Sequence, residues 1–275
     1  MPPSSLDFLD HIEPRSTLLR TLSGRGYVYR TTDLGRLDGL LMAGVVPCYA
    51  GFDAAPDGLH VGHLLTIMAL RRVQQAGHKP IMLLRGGRRS LGALQRYCAM
   101  LGRFLTFGDG PKDALLVDSA EWRGAGYSHV HAQDFLELAR RYGARLQLGA
   151  ADQWPDIQDG IALVRSREGQ RVFGLTMPIL DNLAPGAVWL SPERLAPQAY
   201  WQYWRAVADQ DVGLFLRLFT DLEEERIAAL EWLRGAAMDR AKALLAFEAT
   251  ALAHGPEAAR EAAAADGVGR AEYAA

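Results

Sequence analysis

Val45 to Gly51 reads VVPCYAG, a short apolar run with the length of a buried strand. A loop containing Pro56 and Gly58 follows. Val61 to Ala76 (VGHLLTIMALRRVQQA) then carries apolar residues at helical spacing, and Gly77 stops it. Pro80 to Leu84 (PIMLL) is a second apolar run, closed by Gly86-Gly87. Strand, tight turn, helix and strand in that order make a βαβ unit with parallel strands. No other feature narrows the possible folds as far.

The rest of the chain extends the unit. Ser90 to Leu105 has the pattern of a helix, and Asp113 to Val117 (DALLV) of a third strand. Ala132 to Tyr142 reads as helix, Arg145 to Gly149 (RLQLG) as a fourth strand, and Ile157 to Arg167 as helix. Gln170 to Ile179 includes another apolar strand. After Pro197 the pattern is helical almost to the end, and the alanine-rich PEAAREAAAADGVGRAEYAA is expected to fray. The expected class is α/β: an open, parallel sheet of Rossmann type over residues 1–185, followed by a helical segment over 186–275.

Composition bounds the function. Of 275 residues, 49% are apolar and 23% charged, enough apolar content to bury a core. The net charge of −2 provides no global basic field for nucleic acid. The basic residues are nearly all arginine, with lysine only at Lys79, Lys112 and Lys242. Cys48 and Cys98 fit neither a metal nor a disulfide pattern, which points to a reducing, cytoplasmic setting. MPPSSLDFLDHIEPR has no basic-then-apolar leader. No apolar run approaches the ~18 residues of a membrane span, so no membrane partner is expected.

Ligands of open parallel sheets bind beyond the carboxyl ends of the strands. Gly51 to His63, GFDAAPDGLHVGH, lies at that edge. A helix N-terminus there offers free N–H groups and a positive dipole end, suited to phosphate. Two imidazoles beside it can hydrogen-bond phosphoryl oxygens as charge develops. The plainer alternative is a capped helix with two partly exposed histidines. A zinc site is disfavoured, because no cysteine or carboxylate cluster completes it, and no metal ligand is assigned.

His60-Val61-Gly62-His63 resembles the HIGH signature of class I aminoacyl-tRNA synthetases. The longer stretch YAGFDAAPDGLHVGHLLTIMALRRVQQAGHKPIMLL is similar to tyrosyl-tRNA synthetases in particular. Two later blocks agree: LQLGAADQWPDIQDGIALVRSREGQRVFGLTMPIL, Leu146 to Leu180, and GAVWLSPERLAPQAYWQYWRAVADQDVGLFLRLFT, Gly186 to Thr220. The three blocks keep the family's order and cover most of Arg20 to His254. The resemblance implies a Rossmann-type catalytic domain with a helical segment behind it. It also implies ATP and Mg2+ as cofactors and roles for matching positions. His60 and His63 would face the ATP phosphates. Tyr49 and Asp134 would bind a phenol hydroxyl, and Tyr127 a substrate amine. Asp152 and Gln153 would lie near the ribose and the amino acid, with Gly51, Gly62 and Gly149 on the nucleotide side. Asp53 would help position the ligand. A donor–acceptor pair such as Tyr49 with Asp134 penalises an analogue that leaves it unpaired, a rule that tyrosyl-tRNA synthetases themselves illustrate. Taken singly, Tyr49 reads more readily as a core tyrosine and Asp134 as a first-turn helix carboxylate, and only the resemblance turns the reading to a pocket.

The chain also departs from that family. A lysine-rich KMSKS-type loop is expected between the VFGLT strand and GAVWL, and only Asp181-Asn182-Leu183-Ala184-Pro185 stands there. No lysine occurs from Asp113 to Ala241, and arginine is a planar fork rather than a point charge on a flexible stem. Ala55 replaces a phosphate-contacting threonine, and Ala150 a glycine that lets the backbone approach the ribose. In Leu84 to Leu94 the amine-accepting aspartate is missing, and Arg88 and Arg89 have entered as candidates for altered specificity. His131 stands in place of an amine-binding glutamine. The segment carrying the family's dimer contact shrinks to Trp122 to Tyr127, and the family's C-terminal RNA-binding domain is not expected. The expectations are therefore a small-molecule ligand, tyrosine or a phenolic acid, with tRNA not a partner and a monomer or a dimer through another surface. Two functions fit: an enzyme that activates the acid for a non-tRNA acceptor, or a degenerate paralog that binds and regulates.

Overall fold

The computed structural model describes residues 13–53, 58–85, 90–122, 130–183 and 188–273. Ala55, Arg88, Arg89 and Tyr127 lie outside them. The chain forms two compact units.

The first unit takes Met1–Ala55, Ala69–Cys98 and Leu105–Leu180. In chain order its elements are α1 (Thr17–Gly24), β1 (Arg30–Thr31), α2 (Leu34–Ala43), β2 (Pro47–Phe52), α3 (Val61–Gln75), β3 (Lys79–Leu84), α4 (Leu91–Leu101), β4 (Leu115–Asp118), α5 (Val130–Tyr142), β5 (Leu146–Ala150), α6 (Trp154–Glu168) and β6 (Phe173–Met177). The first turns of α3 and the last turn of α4 fall in the second unit. The six strands lie in the order β1-β6-β5-β2-β3-β4. All pairs from β6 to β4 are parallel, and the expected βαβ unit is β2-α3-β3. These strands are apolar along their length because a parallel sheet is covered on both faces.

The expected Rossmann-type parallel sheet is present, with one addition at its edge: β1 pairs antiparallel with β6, Arg30 opposite Thr176 and Thr31 opposite Leu175. Two residues are too few to leave a period in the sequence. The helix expected to reach Leu105 ends at Leu101, where a turn with buried Phe104 takes over.

Chain order places the sheet's switch point. From β2 the chain winds outward to β3 and β4, then returns to β5 on the other side of β2. The strand order reverses between β2 and β5, and doubly wound sheets bind ligands outside the carboxyl ends of such a pair. Gly51 and Asp53 stand at the end of β2, and Gly149 to Gln153 at the end of β5.

Close packing behind β5 and β6 depends on small residues. A Cβ at Gly174 would stand 2.2 Å from Ile157 Cγ2, and one at Gly160 3.2 Å from the Phe135 ring. Gly169 ends α6 with φ +63°, a left-handed cap that glycine adopts without strain.

The second unit takes Pro56–Met68, Ala99–Phe104 and Asp181–Ala275. Its helices are α7 (Pro197–Arg205), α8 (Asp209–Phe219), α9 (Glu224–Glu231), α10 (Ala236–His254), α11 (Pro256–Ala265) and α12 (Arg270–Tyr273). Tyr200, Trp201, Trp204, Phe215 and Phe219 form its aromatic core. Asp266 accepts hydrogen bonds from Trp201 Nε1, Gln202 Nε2 and Arg205 Nε, at 3.1, 2.6 and 3.1 Å. The alanine-rich tail corrects an expectation. Instead of fraying, it folds back as α11 and α12, burying Ala259, Ala262, Ala263 and Tyr273. The Tyr273 ring stacks on Phe247 at 4.2 Å. Alanine at helical spacing permits close helix contact, an effect that composition alone does not reveal. The second unit gathers segments far apart in sequence. Among the described residues, no helix is long and apolar enough to cross a membrane.

Candidate active site

The first unit holds a buried polar cluster at the end of β2. Side chains two apart on a strand share a face, and register partners in a parallel pair do too. Tyr49 pairs with Ile81 and Gly51 with Leu83, so Tyr49, Gly51 and the residue two beyond Leu83, Arg85, stand on one face. Arg85 N–H donates to Phe52 carbonyl at 2.8 Å, extending the ladder by one bond. The Arg85 side chain folds back over Gly51, and a Cβ there would lie 2.4 Å from its Cζ.

Arg85 reaches Asp134 on α5. Its Nε donates to Asp134 Oδ2 at 3.0 Å, and the two side chains are 4% and 1% exposed. Trp122 Nε1 donates to the other carboxylate oxygen at 2.9 Å. Phe135 closes the cluster with an edge-on ring 5.0 Å from Tyr49. The Tyr49 hydroxyl, fully buried, has no hydrogen-bond partner among the described residues. Burial pushes its phenol well above the ordinary value, Arg85 pulls it down and Asp134 pushes it further up. Tyr49 is thus a protonated donor with no acceptor among the described residues. On β5, its register partner Gln147 also carries a buried, unpartnered oxygen, Oε1.

The other candidates in this unit separate from this cluster. At the end of β5, Gln153 Oε1 accepts from Ala150 N–H at 3.2 Å. A Cβ on Gly149 would lie 2.7 Å from that oxygen, so glycine is needed here to let Gln153 close the turn. Asp152 and Asp53 are exposed at the two strand ends. His131 Nδ1 lies 2.7 Å from Asp156 Oδ2, a partner on α6 that the sequence reading did not name, and both side chains are partly exposed.

His60, Gly62 and His63 belong to the second unit. An antiparallel bridge ties His60 to Trp189. Val61 N–H donates to Val188 carbonyl at 2.8 Å, and Leu190 N–H to Leu59 carbonyl at 3.0 Å. Trp189 meets the His60 ring edge-on at 5.9 Å, with Arg194 stacked 4.8 Å over the indole. His60 Nδ1 accepts from Gly62 N–H at 3.1 Å, and His63 Nδ1 from His60 N–H at 3.2 Å. The rings are 4.1 Å apart. A neutral imidazole that accepts at Nδ1 carries its proton on Nε2. Partial burial lowers the His60 pKa, which favours that neutral form. His60 therefore offers an Nε2–H donor beside a helix N-terminus, a donor that fits a phosphoryl oxygen.

Sequence reasoning missed Arg85, Trp122 and Gln147. Gln147 left a signal, a polar side chain inside the apolar run RLQLG. Arg85 left a weak one, because a charge at a strand end ordinarily reads as solvated. Trp122 left none.

A Rossmann-type parallel sheet with a HIGH-like segment and a helical unit defines a class I aminoacyl-tRNA synthetase fold. The profile described as "tRNA synthetases class I (W and Y)" matches residues 43–87 and 124–266, and the chain belongs to this family. It is 40% identical to the tyrosine–tRNA ligase of Caulobacter vibrioides over 315 residues, covering 90% of this chain and 75% of that one. Against the tyrosine–tRNA ligase of Zymomonas mobilis it is 41% identical over 317 residues, covering 91% and 78%. An alignment of 315 positions exceeds this chain's own 275 residues, so the Caulobacter protein carries internal segments with no counterpart here. A C-terminally truncated mitochondrial tyrosyl-tRNA synthetase of Coccidioides posadasii shares the fold, with a TM-score of 0.75, 22% identity and coverage of 91% and 92%.

Proposed function

We propose that the protein binds tyrosine or a related para-hydroxyphenyl acid together with ATP, and joins the acid to the nucleotide as an acyl adenylate. The observation that carries this reading is the orphaned Tyr49 hydroxyl beside Asp134, a buried donor and a buried carboxylate with no structural need for each other. Such a pair suits a ligand hydroxyl that accepts from one and donates to the other. The tyrosine–tRNA ligase names of the relatives support the same substrate class.

In this reading the carboxylate oxygen of the acid attacks the α-phosphorus of ATP and forms an acyl–phosphate bond, while pyrophosphate departs with the bond's electron pair. Mg2+ enters as part of the nucleotide. Tyr49 holds the phenol, and Gln153 and Asp152 stand at the end of β5 for the amino acid and ribose. His60 and His63 donate Nε2–H to phosphoryl oxygens as charge builds on the leaving group. Neutral imidazoles supply such donors without needing to titrate.

The acceptor we propose is not tRNA. Net charge is −2, which offers no basic field to draw it in. Separately, no lysine occurs between Asp113 and Ala241 to replace the family's mobile lysines for the ATP phosphates. The same lack of lysines favours a second reading, a protein that binds the ligand without activating it. Tyrosine-dependent exchange of labelled pyrophosphate into ATP decides between them. Slow exchange that requires a para-hydroxyphenyl acid is expected. Binding without exchange supports the second reading, and charging of purified tRNA at physiological salt overturns the acceptor.

A further inference from the structure

We propose that Arg85 is a built-in gate on the phenol end of the pocket, and that a para-hydroxyphenyl ligand enters only when the guanidinium leaves Asp134. This deepens the function proposed above and rests on it.

Three observations converge on the same space. Tyr49 and Gly51 share one face of β2, so the surface next to the phenol is the bare Cα of Gly51. The Arg85 guanidinium lies on that surface, with Cζ, Nη1 and Nη2 all 2.4–2.6 Å from where a Cβ would be. Asp134, the carboxylate that a ligand hydroxyl would donate to, already accepts from Arg85 at one oxygen and Trp122 at the other. One half of the phenol site is thus occupied by the protein, while the other half, the Tyr49 hydroxyl, has no partner.

A structural role accounts poorly for this arrangement. A buried ion pair often contributes no more stability than apolar residues of the same volume, because desolvation offsets the attraction. The neighbours on this face are Ile81, Leu83, Val117, Phe135 and Leu136, into which a methionine or leucine would pack without that cost. The guanidinium instead fills the space over Gly51 and neutralises the Asp134 carboxylate. A ligand must displace it, so the apparent affinity is reduced by the fraction of molecules in which the gate is open. Arg85 is accordingly a specificity-determining residue: only a head group that replaces its hydrogen bond to Asp134 recovers part of the loss. Phenylalanine cannot make that replacement.

The test measures L-tyrosine binding by calorimetry in the wild type, Arg85→Gln and Arg85→Met, each checked for a cooperative thermal transition. Gln keeps a neutral donor near Asp134 and guards against misfolding of the Met variant. Both shorten the side chain or remove its charge, and either is expected to bind tyrosine about tenfold or more tightly than wild type. Equal affinity in the wild type and the folded variants overturns the gate while leaving the phenol site intact. Absence of binding of both tyrosine and 4-hydroxyphenylpropionate in all three proteins overturns the phenol reading itself, and the gate with it.

Discussion

Tyr49 and Gln147 are register partners across β2 and β5, and each carries a buried side-chain oxygen without a hydrogen-bond partner among the described residues. Leaving a buried polar group unpaired costs roughly 1–3 kcal/mol. Two such groups side by side place that cost at the sheet's switch point, where a ligand would satisfy them.

Tyr49→Phe separates a structural from a ligand role. Removing a hydroxyl that bonds to nothing is expected to leave stability unchanged or raise it by up to about 1 kcal/mol. The preference for tyrosine over phenylalanine should disappear, measured in the Arg85→Gln background where the gate is open. Urea unfolding and competition binding read the two effects. A loss of stability above about 2 kcal/mol would mean that the hydroxyl has a structural partner after all.

What the sequence disclosed follows the physics of each signal. The βαβ unit was legible because Val61 to Ala76 keeps its helical period between two apolar runs that become β2 and β3. The two-residue β1 was not, since it is defined only by its partner on β6. In the site, Tyr49 and Asp134 are singled out only by the resemblance to tyrosyl-tRNA synthetases, and the hydrogen bond from Arg85 to Asp134 leaves no trace in the sequence. Attention fell on Arg88 and Arg89 because they enter a glycine-rich run, whereas Arg85 matters through a fold-back over Gly51 that no linear pattern encodes. The alanine tail misled for the opposite reason: its composition suggests a weak helix, and its burial comes entirely from tertiary contact.

Gly174→Ala is expected to destabilise the protein by about 1–3 kcal/mol, because the new methyl would meet Ile157 Cγ2 in a closely packed region. Ile157→Ala alone should also destabilise, by leaving a cavity. Combined, the two should cost less than their sum, since each relieves the other's defect. A double-mutant cycle by chemical unfolding measures this, and strict additivity would show that α6 moves aside freely.

His254 sets an acid limit on the second unit. It ends α10, is buried, meets the Tyr200 ring edge-on at 4.8 Å, and has no hydrogen-bond partner at either ring nitrogen among the described residues. Burial, helped by nearby Arg103 and opposed by Glu193, lowers its pKa from 6.5 to about 4. The folded state therefore holds the ring neutral after the unfolded chain has begun to take up the proton. Stability should be independent of this group above pH 6.5, fall as the pH drops from 6.5 towards about 4, and level off below that. The loss is about 3 kcal/mol. His254→Phe keeps the ring contact and removes the titration. Its unfolding midpoint should lack this slope between pH 6.5 and 4, and an unchanged slope would assign the acid sensitivity elsewhere.

The histidine pair makes the most direct statement about chemistry. Each Nδ1 accepts from a backbone N–H, which puts the proton of a neutral ring on Nε2. A glutamine side chain places its amide N–H nearer to Nε2, whereas asparagine places it nearer to Nδ1. If phosphoryl contact is the role, His60→Gln and His63→Gln should retain more pyrophosphate exchange than the corresponding Asn variants. Alanine at either position should cost roughly 10²–10³ in rate, the usual cost of losing one preorganised donor. Because partial burial lowers the His60 pKa below its ordinary value, exchange should not rise as the pH falls towards 6.5. Asparagine variants that outperform glutamine would reverse the assignment: the Nδ1 bonds to the backbone would then be what matters, and the histidines would be shaping the turn into α3 rather than contacting ATP.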